Sequence, residues 1–173
     1  NLFAHRSLRD PQKGLELTQS ELEDYWLPQL LLYTGARVSE ICQLDTWDIK
    51  CIDDIWCIDI NDNGSGKRLK SASAKRLVPL HPILIKYGFL RYAQTRYESG
   101  QVKLFSFKPM GANMDWSKAF INRFSKVLDE LGYMASYRPT LHSFRHTFID
   151  ELQQMDISEH VVADLVGHTK PTL

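Results

Sequence analysis

Two short stretches of this chain, Ile55-Trp56-Cys57-Ile58-Asp59-Ile60 and Arg76-Leu77-Val78-Pro79-Leu80, read as β-strands, while the other ordered segments carry helix signals. A polar loop punctuated by Gly64, Ser65, Gly66, Ser71 and Ser73 separates them. The two strands are expected to flank that loop as a hairpin, with Pro79 marking an edge because proline has no N–H to give to a ladder. The body must then be helical. Thr18 followed three residues on by Glu21 is a capping box that predicts a helix from Gln19 to about Trp26. Pro28 predicts a restart and a second helix ending near Gly35. A third, from Arg37 to about Leu44, puts Val38, Ile41 and Leu44 on one stripe. Further helices are expected at about 82–99, 115–132, 142–155 and 158–166. The expected class is mainly α with a small antiparallel β-hairpin (α+β) in one domain over residues 17–173. Residues 1–16 are polar, contain Pro11 and Gly14, and read as a linker.

Composition removes several alternatives. With 43% hydrophobic and 24% charged residues, 173 residues can bury a core. The apolar run around Leu30 is interrupted by Pro28 and Gln29, so no membrane span is expected. Asn1-Leu2-Phe3-Ala4-His5-Arg6 does not resemble a secretion signal, which makes the cytoplasm the expected location. Cys42, Cys51 and Cys57 are odd in number and lack a Cys-x-x-Cys spacing, pointing to reduced thiols rather than a disulfide frame or a zinc site.

The net charge is zero, yet its distribution is uneven: residues 16–62 hold eleven acids and two bases, and residues 67–146 hold fifteen bases and four acids. The densest cationic stretch is Lys67, Arg68, Lys70, Lys75 and Arg76. Such a segment fits a phosphate-facing hairpin or, equally, a solvated turn kept soluble by its lysines.

Three motifs carry chemistry. In Thr34-Gly35-Ala36-Arg37-Val38-Ser39-Glu40 an arginine sits at a helix start, where free amides favour an anion, and Glu40 can hold its guanidinium; a structural Arg37–Glu40 ion pair is the competing reading. In Leu141-His142-Ser143-Phe144-Arg145-His146-Thr147-Phe148, His142 and Arg145 share a helix face while Phe144 and Phe148 are expected to face the core. His142 and His146 have the i, i+4 spacing of metal ligands, but no glutamate follows His142 and no further ligand set is evident, so no metal is assigned. Ser143 lacks the glycines of a nucleophile elbow. Gly167-His168 ends a helix and projects an imidazole beyond it, which alone would suit a histidine capping free carbonyls.

Taken in order, Thr-Gly-x-Arg-x-x-Glu, a lysine hairpin ending in Arg-Leu-Val-Pro-Leu, His-x-x-Arg and Gly-His resemble the catalytic domain of the tyrosine recombinases, the phage integrase family. The resemblance implies that Arg37, His142, Arg145 and His168 are catalytic, that Lys70 is the hairpin general acid with Lys67 as a rival, and that Glu40 supports Arg37. It assigns Lys67, Arg68, Lys75 and Arg76 to DNA binding. It implies no cofactor, double-stranded DNA as partner, and site-specific cleavage and rejoining through a 3′-phosphotyrosyl link, by a homotetramer on paired sites when complete and a monomer as a fragment. The family tyrosine follows the Gly-His motif, whereas none of Tyr25, Tyr33, Tyr87, Tyr92, Tyr97, Tyr133 and Tyr137 does. The expectation is therefore a fragment that binds DNA without cleaving it and lacks an N-terminal core-binding domain. A non-catalytic prophage remnant and a type IB topoisomerase-like relaxase are the alternatives, with a metal-dependent nuclease more distant.

Overall fold

A computed structural model describes residues 16–64 and 66–168; the expected linker over 1–16 lies outside them except for its last residue. The chain forms α1 (Gln19–Thr34), α2 (Val38–Cys42), β1 (Ile49–Ile52), β2 (Ile55–Ile60), β3 (Arg76–Pro79), α3 (Pro82–Lys86), α4 (Phe89–Glu98), α5 (Lys118–Glu130), α6 (Leu141–Gln154) and α7 (Glu159–Val166). The expected class holds: helices surround a small antiparallel sheet of order β1-β2-β3. Among the described residues no helix is long and apolar enough to cross a membrane.

Helix α1 begins at the Thr18 cap, where the Glu21 amide donates to Thr18 Oγ1 and the Thr18 amide donates to the Glu21 carboxylate. It then continues through Pro28 instead of restarting there. The proline removes one helical hydrogen bond, a local cost of about 3 kcal/mol in an isolated helix. Burial of Trp26, Leu27, Leu30 and Leu31, each at most 2% exposed, offsets that cost, since each such side chain is worth roughly 1.5–3 kcal/mol. The third helix is shorter than expected, with Arg37 as its N-cap rather than its first turn.

The sheet differs from the expected hairpin in one strand. β1 pairs with β2 through a tight turn at Asp53 and Asp54, both at positive φ (48° and 62°), in the register Ile49↔Ile58 to Ile52↔Ile55. Two-residue turns of this kind usually carry Asn-Gly or Asp-Gly, and Asp-Asp hid it. The basic segment is, as expected, the long loop joining the antiparallel pair β2 and β3, and Pro79 lies opposite Cys57 on the edge strand β3. The helix expected over 82–99 is broken at Gly88, whose φ of 90° no L side chain adopts without strain. Helix α5 starts at Lys118 rather than 115, because the Asp115 carboxylate accepts the Ser117 amide and hydroxyl just before it.

A chain of rings runs through the core from α1 to α6: Trp26, Phe89, Tyr92, Phe105, Phe107, Phe120, Phe124 and Phe144 follow one another at centroid separations of 5.3 to 6.3 Å. These are the edge-on and offset distances that favour aromatic pairs. Phe144 thus faces the core as expected, and Phe148 covers Gly35 at the end of α1. Cys42 and Cys57 are buried free thiols, and Cys51 is an exposed one.

Gly35 closes α1 in the left-handed conformation (φ 61°), and a Cβ there would lie 2.3 Å from the Phe148 ring. Gly88 has a similar backbone need but open space around it. Gly88→Ala should therefore cost only the backbone strain, about 1–2 kcal/mol, whereas Gly35→Ala should add a further 1–3 kcal/mol of overpacking. Urea midpoints of the two variants measure the difference; equal losses would show that Phe148 yields freely.

Candidate active site

Arg37 caps α2 directly after the left-handed turn at Gly35, because its extended backbone lets the chain enter the new helix. Its guanidinium Nη1 donates to Glu40 Oε1 at 2.8 Å, and its own amide donates to Glu40 Oε2 at 2.9 Å. The carboxylate one turn into the helix thus holds both the cap and the side chain. Glu40 is 3% exposed and takes a second guanidinium, Arg76 Nη2, at 2.9 Å. Burial alone would raise its pKa, but Arg76 and Arg37 outweigh that and hold it below the ordinary carboxylate value. The Arg37–Glu40 ion pair of the competing reading is real, and it leaves Arg37 partly exposed, at 23% of its side chain.

Arg145, on the second turn of α6, is 2% exposed. Its Nη1 donates to the Gly35 carbonyl and its Nη2 to the Val166 carbonyl, both at 2.6 Å. One guanidinium therefore ties together the Thr-Gly-x-Arg turn, the His-x-x-Arg helix and the end of α7. A guanidinium carries five N–H donors, so these two bonds leave others for an anion. No carboxylate bonds Arg145 among the described residues, and its pKa is pushed down to about 10 by burial and by Arg37 and Arg76 nearby, with Glu40 opposing. A buried cation crowded by further cations is a site that favours an anion.

Arg76 stitches the sheet to the same place. Its Nε donates to the Leu165 carbonyl at 2.7 Å, its Nη1 to the Ala74 carbonyl at 2.7 Å, and its Nη2 to Glu40. Arg76 and Arg145 thus occupy successive terminal carbonyls of α7, the end of the helix dipole that attracts cations. Gly167 then turns left-handed (φ 66°), and a Cβ there would meet Arg76 Nη1 at 2.8 Å and Ala74 Cα at 3.2 Å. His168 emerges immediately beyond, its amide bonded to the Ala163 carbonyl at 3.0 Å and its side chain exposed.

The two imidazoles lie in the field of these cations. His142, exposed on the first turn of α6, has its pKa lowered by burial, His146, Arg145, Arg37 and Lys70 in that order. His168 is lowered by burial, then Arg145, Arg37, Arg76 and His142. Both are therefore neutral at pH 7, each able to accept one hydrogen bond and donate another. His142 and His146 meet edge to face at 4.7 Å between centroids.

The basic connection divides sharply. Lys67, expected to face DNA or to rival Lys70, is buried: its ammonium bonds Asp45 at 3.0 Å, Asp48 at 2.5 Å and Asn61 Oδ1 at 3.0 Å. Arg76, also expected at DNA, is buried in the contacts above. Lys75 pairs with Asp62 at 2.6 Å on the surface. Arg68 and Lys70 are exposed and have no acidic partner among the described residues. The strand pattern held the signal for Arg76, since Arg76 and Val78 share a face of β3 and Val78 is 1% exposed. Lys67 gave none, because its partners Asp45 and Asp48 lie about a score of residues upstream.

The phage integrase family model matches residues 12–172. A tyrosine recombinase of Agathobacter rectalis is 27% identical over 169 residues, covering 97% of this chain and 51% of that protein. The tyrosine recombinase XerD of Staphylococcus epidermidis is 27% identical over 148 residues, 84% of this chain and 46% of its own. The chain thus spans about half the length of these relatives. In fold it is similar to the XerH site-specific recombinase in its pre-cleavage complex with difH substrate (TM-score 0.61, 19% identity, 95% of this chain and 45% of that one). It is likewise similar to the Tn1549 transposon integrase bound to circular intermediate DNA (TM-score 0.61, 20% identity, 91% and 55%). The order of motifs, the shared fold and a match over nearly the whole sequence lead to one conclusion: this chain belongs to the phage integrase family.

Proposed function

We propose that this domain binds double-stranded DNA around one phosphodiester and, in its complete protein, breaks and rejoins the strand through a phosphotyrosyl intermediate. The observation that carries the reading is the Arg145 bridge between the Gly35 and Val166 carbonyls, which gathers three separated motifs around a cation that no carboxylate bonds among the described residues. Arg37 and Arg145 neutralise the nonbridging oxygens, whose charge grows as the phosphorus becomes pentavalent. His168 donates a hydrogen bond to one of them. The tyrosine oxygen attacks phosphorus while His142 accepts its proton, and the 5′ oxygen leaves with a proton from Lys70. The phosphotyrosyl bond conserves the energy of the broken ester, so a second strand's 5′ hydroxyl can reverse the step. Exchange between two sites requires protomers on both duplexes, for which a tetramer is the simplest assembly. None of the seven tyrosines of this sequence matches the family's nucleophile motif.

Arg37→Ala should fold, because Arg76 still satisfies Glu40, and should weaken duplex binding by ~1.5–3 kcal/mol, roughly 10- to 100-fold, as read by fluorescence anisotropy. Affinity of the parent should fall steeply with salt as counterions leave the duplex, and the variant's slope should be shallower. Unchanged affinity would remove Arg37 from the phosphate site. Expressed from the complete reading frame and given its recombination site with a nick, the protein should form a denaturant-resistant DNA adduct that Arg37→Ala and Arg145→Ala abolish and a chelator leaves intact. A chelator-sensitive reaction without adduct would favour a nuclease.

The imidazoles supply a pH test. His142 and His168 have folded pKa values below the unfolded value near 6.5, so the unfolded chain binds more protons as pH falls below it. The stability they contribute is present above about pH 6.5 and is lost between there and their folded values. Bound phosphate favours the protonated forms, so duplex affinity should rise across that window while the free domain's urea midpoint drops. His142→Gln with His168→Gln should flatten both trends.

A further inference from the structure

From Gly66 to Leu69 the segment leading to Lys70 is fastened to the body at each residue. The Trp116 indole N–H donates to the Gly66 carbonyl at 2.9 Å. The Lys67 ammonium, with 1% of its side chain exposed, lies between Asp45, Asp48 and Asn61. Asp45 is shared with Lys103, whose ammonium also sits 4.6 Å from the Trp116 ring centre. The Gln43 side chain clamps the next residue from both sides: its Nε2 donates to the Arg68 carbonyl and its Oε1 accepts the Arg68 amide, each at 2.8 Å. Leu69 packs against the core. Beyond it Lys70, Ser71, Ala72 and Ser73 are exposed, and Ala74, fully buried, ends the exposed run beside Gly167.

The β2–β3 connection is therefore an arm pinned at both ends with four exposed residues between, not a flap free to swing. Lys70 is one peptide from an anchored Leu69, and consecutive Cα atoms stand about 3.8 Å apart. With Leu69 fixed, its backbone moves on that short radius, and the ammonium reaches its target mainly by side-chain rotation. Burying an ammonium between two carboxylates in a segment of glycines and serines is an expensive way to close a surface turn, since the same turn could be capped by water. What the arrangement secures is the position of the residue that follows.

We infer that Lys67, held by Asp45 and Asp48 and assisted by the Gln43 clamp on Arg68, is a positioning residue that fixes the backbone from which Lys70 addresses the DNA phosphate. The inference rests on the proposed role of Lys70 and extends it to residues that touch neither DNA nor the reacting atoms.

Lysine acetylation with limiting acetic anhydride, quantified residue by residue by peptide mass spectrometry with and without a mixed-sequence duplex, tests it on this chain. In the parent, Lys70 should be acetylated in the free protein and shielded by DNA, and Lys67 should be unreactive in both. Lys67→Met, and separately Gln43→Ala, should lose the DNA shielding of Lys70 while retaining shielding at other lysines. Gln43→Ala leaves the buried charges intact and carries the test if Lys67→Met does not fold. Leu84→Ala, a core truncation in α3, should lower the melting temperature and keep the shielding. Shielding of Lys70 that persists in Lys67→Met or Gln43→Ala, or that vanishes equally in Leu84→Ala, overturns the positioning role while leaving the phosphate assignment of Lys70 in place. An unshielded Lys70 in the parent removes that assignment itself, and the inference with it.

Discussion

The guanidinium of Arg145 is the point on which the arrangement turns. It spans from the carbonyl that ends α1 to the carbonyl that ends α7, and both bonds are charge-assisted in a place almost free of solvent. A lysine could supply the charge but not two donors in a rigid fork. The carbonyls it uses are ones that helix ends leave without helical partners, so one side chain both closes two helices and sets the spacing between the residues that follow them, Arg37 and His168. The two motif glycines permit this closeness, Gly35 beneath Phe148 and Gly167 against Arg76.

Charge along the sequence and charge in space prove to be different things. The acids crowded into residues 16–62 do not form an acidic face: Glu23 takes Arg123, Glu40 takes Arg37 and Arg76, and Asp45 and Asp48 take Lys67 and Lys103. Bases from the middle of the chain are thus consumed by acids from its start. Around the site, Arg68 and Lys70 in the connection and Arg145 on α6 have no acidic partner among the described residues. Zero net charge is therefore compatible with a strongly cationic pocket, because the cancellation occurs inside the protein and the excess is local.

Much of the architecture was legible in the sequence because local rules decided it. The Thr18–Glu21 box, the β2 and β3 strands, the starts of α6 and α7 and the glycine stop at 167 were all set within a few residues. The failures share a cause. Pro28 signals a break by a rule that is local, whereas its tolerance depends on the burial of Leu27 and Leu30 around it. β1 was missed because four residues and an Asp-Asp turn carry little signal without a partner strand. At the site, Arg37, His142, Arg145 and His168 could be named from motif order, but the assignments of Lys67 and Arg76 to DNA treated basic residues as interchangeable. Only the fold distinguishes a cation that faces solvent from one bonded to a buried carboxylate, although the alternation of β3 already placed Arg76 beside Val78 on the inner face.

That distinction bears on how such a pocket stays folded without its anion. Arg37, Arg76 and Arg145 gather near one carboxylate, Glu40, and burial first, then neighbouring cations, lower the pKa of Arg145 and of both imidazoles. Backbone carbonyls absorb part of the mismatch, since four of them accept from Arg76 and Arg145 without adding a negative charge that would compete with phosphate. A carboxylate in their place would neutralise the guanidinium groups and leave less charge for the anion of the proposed function. Neutral dipoles are the compromise: strong enough to orient the guanidinium groups, too weak to neutralise them, and so they leave the remaining charge for the ligand.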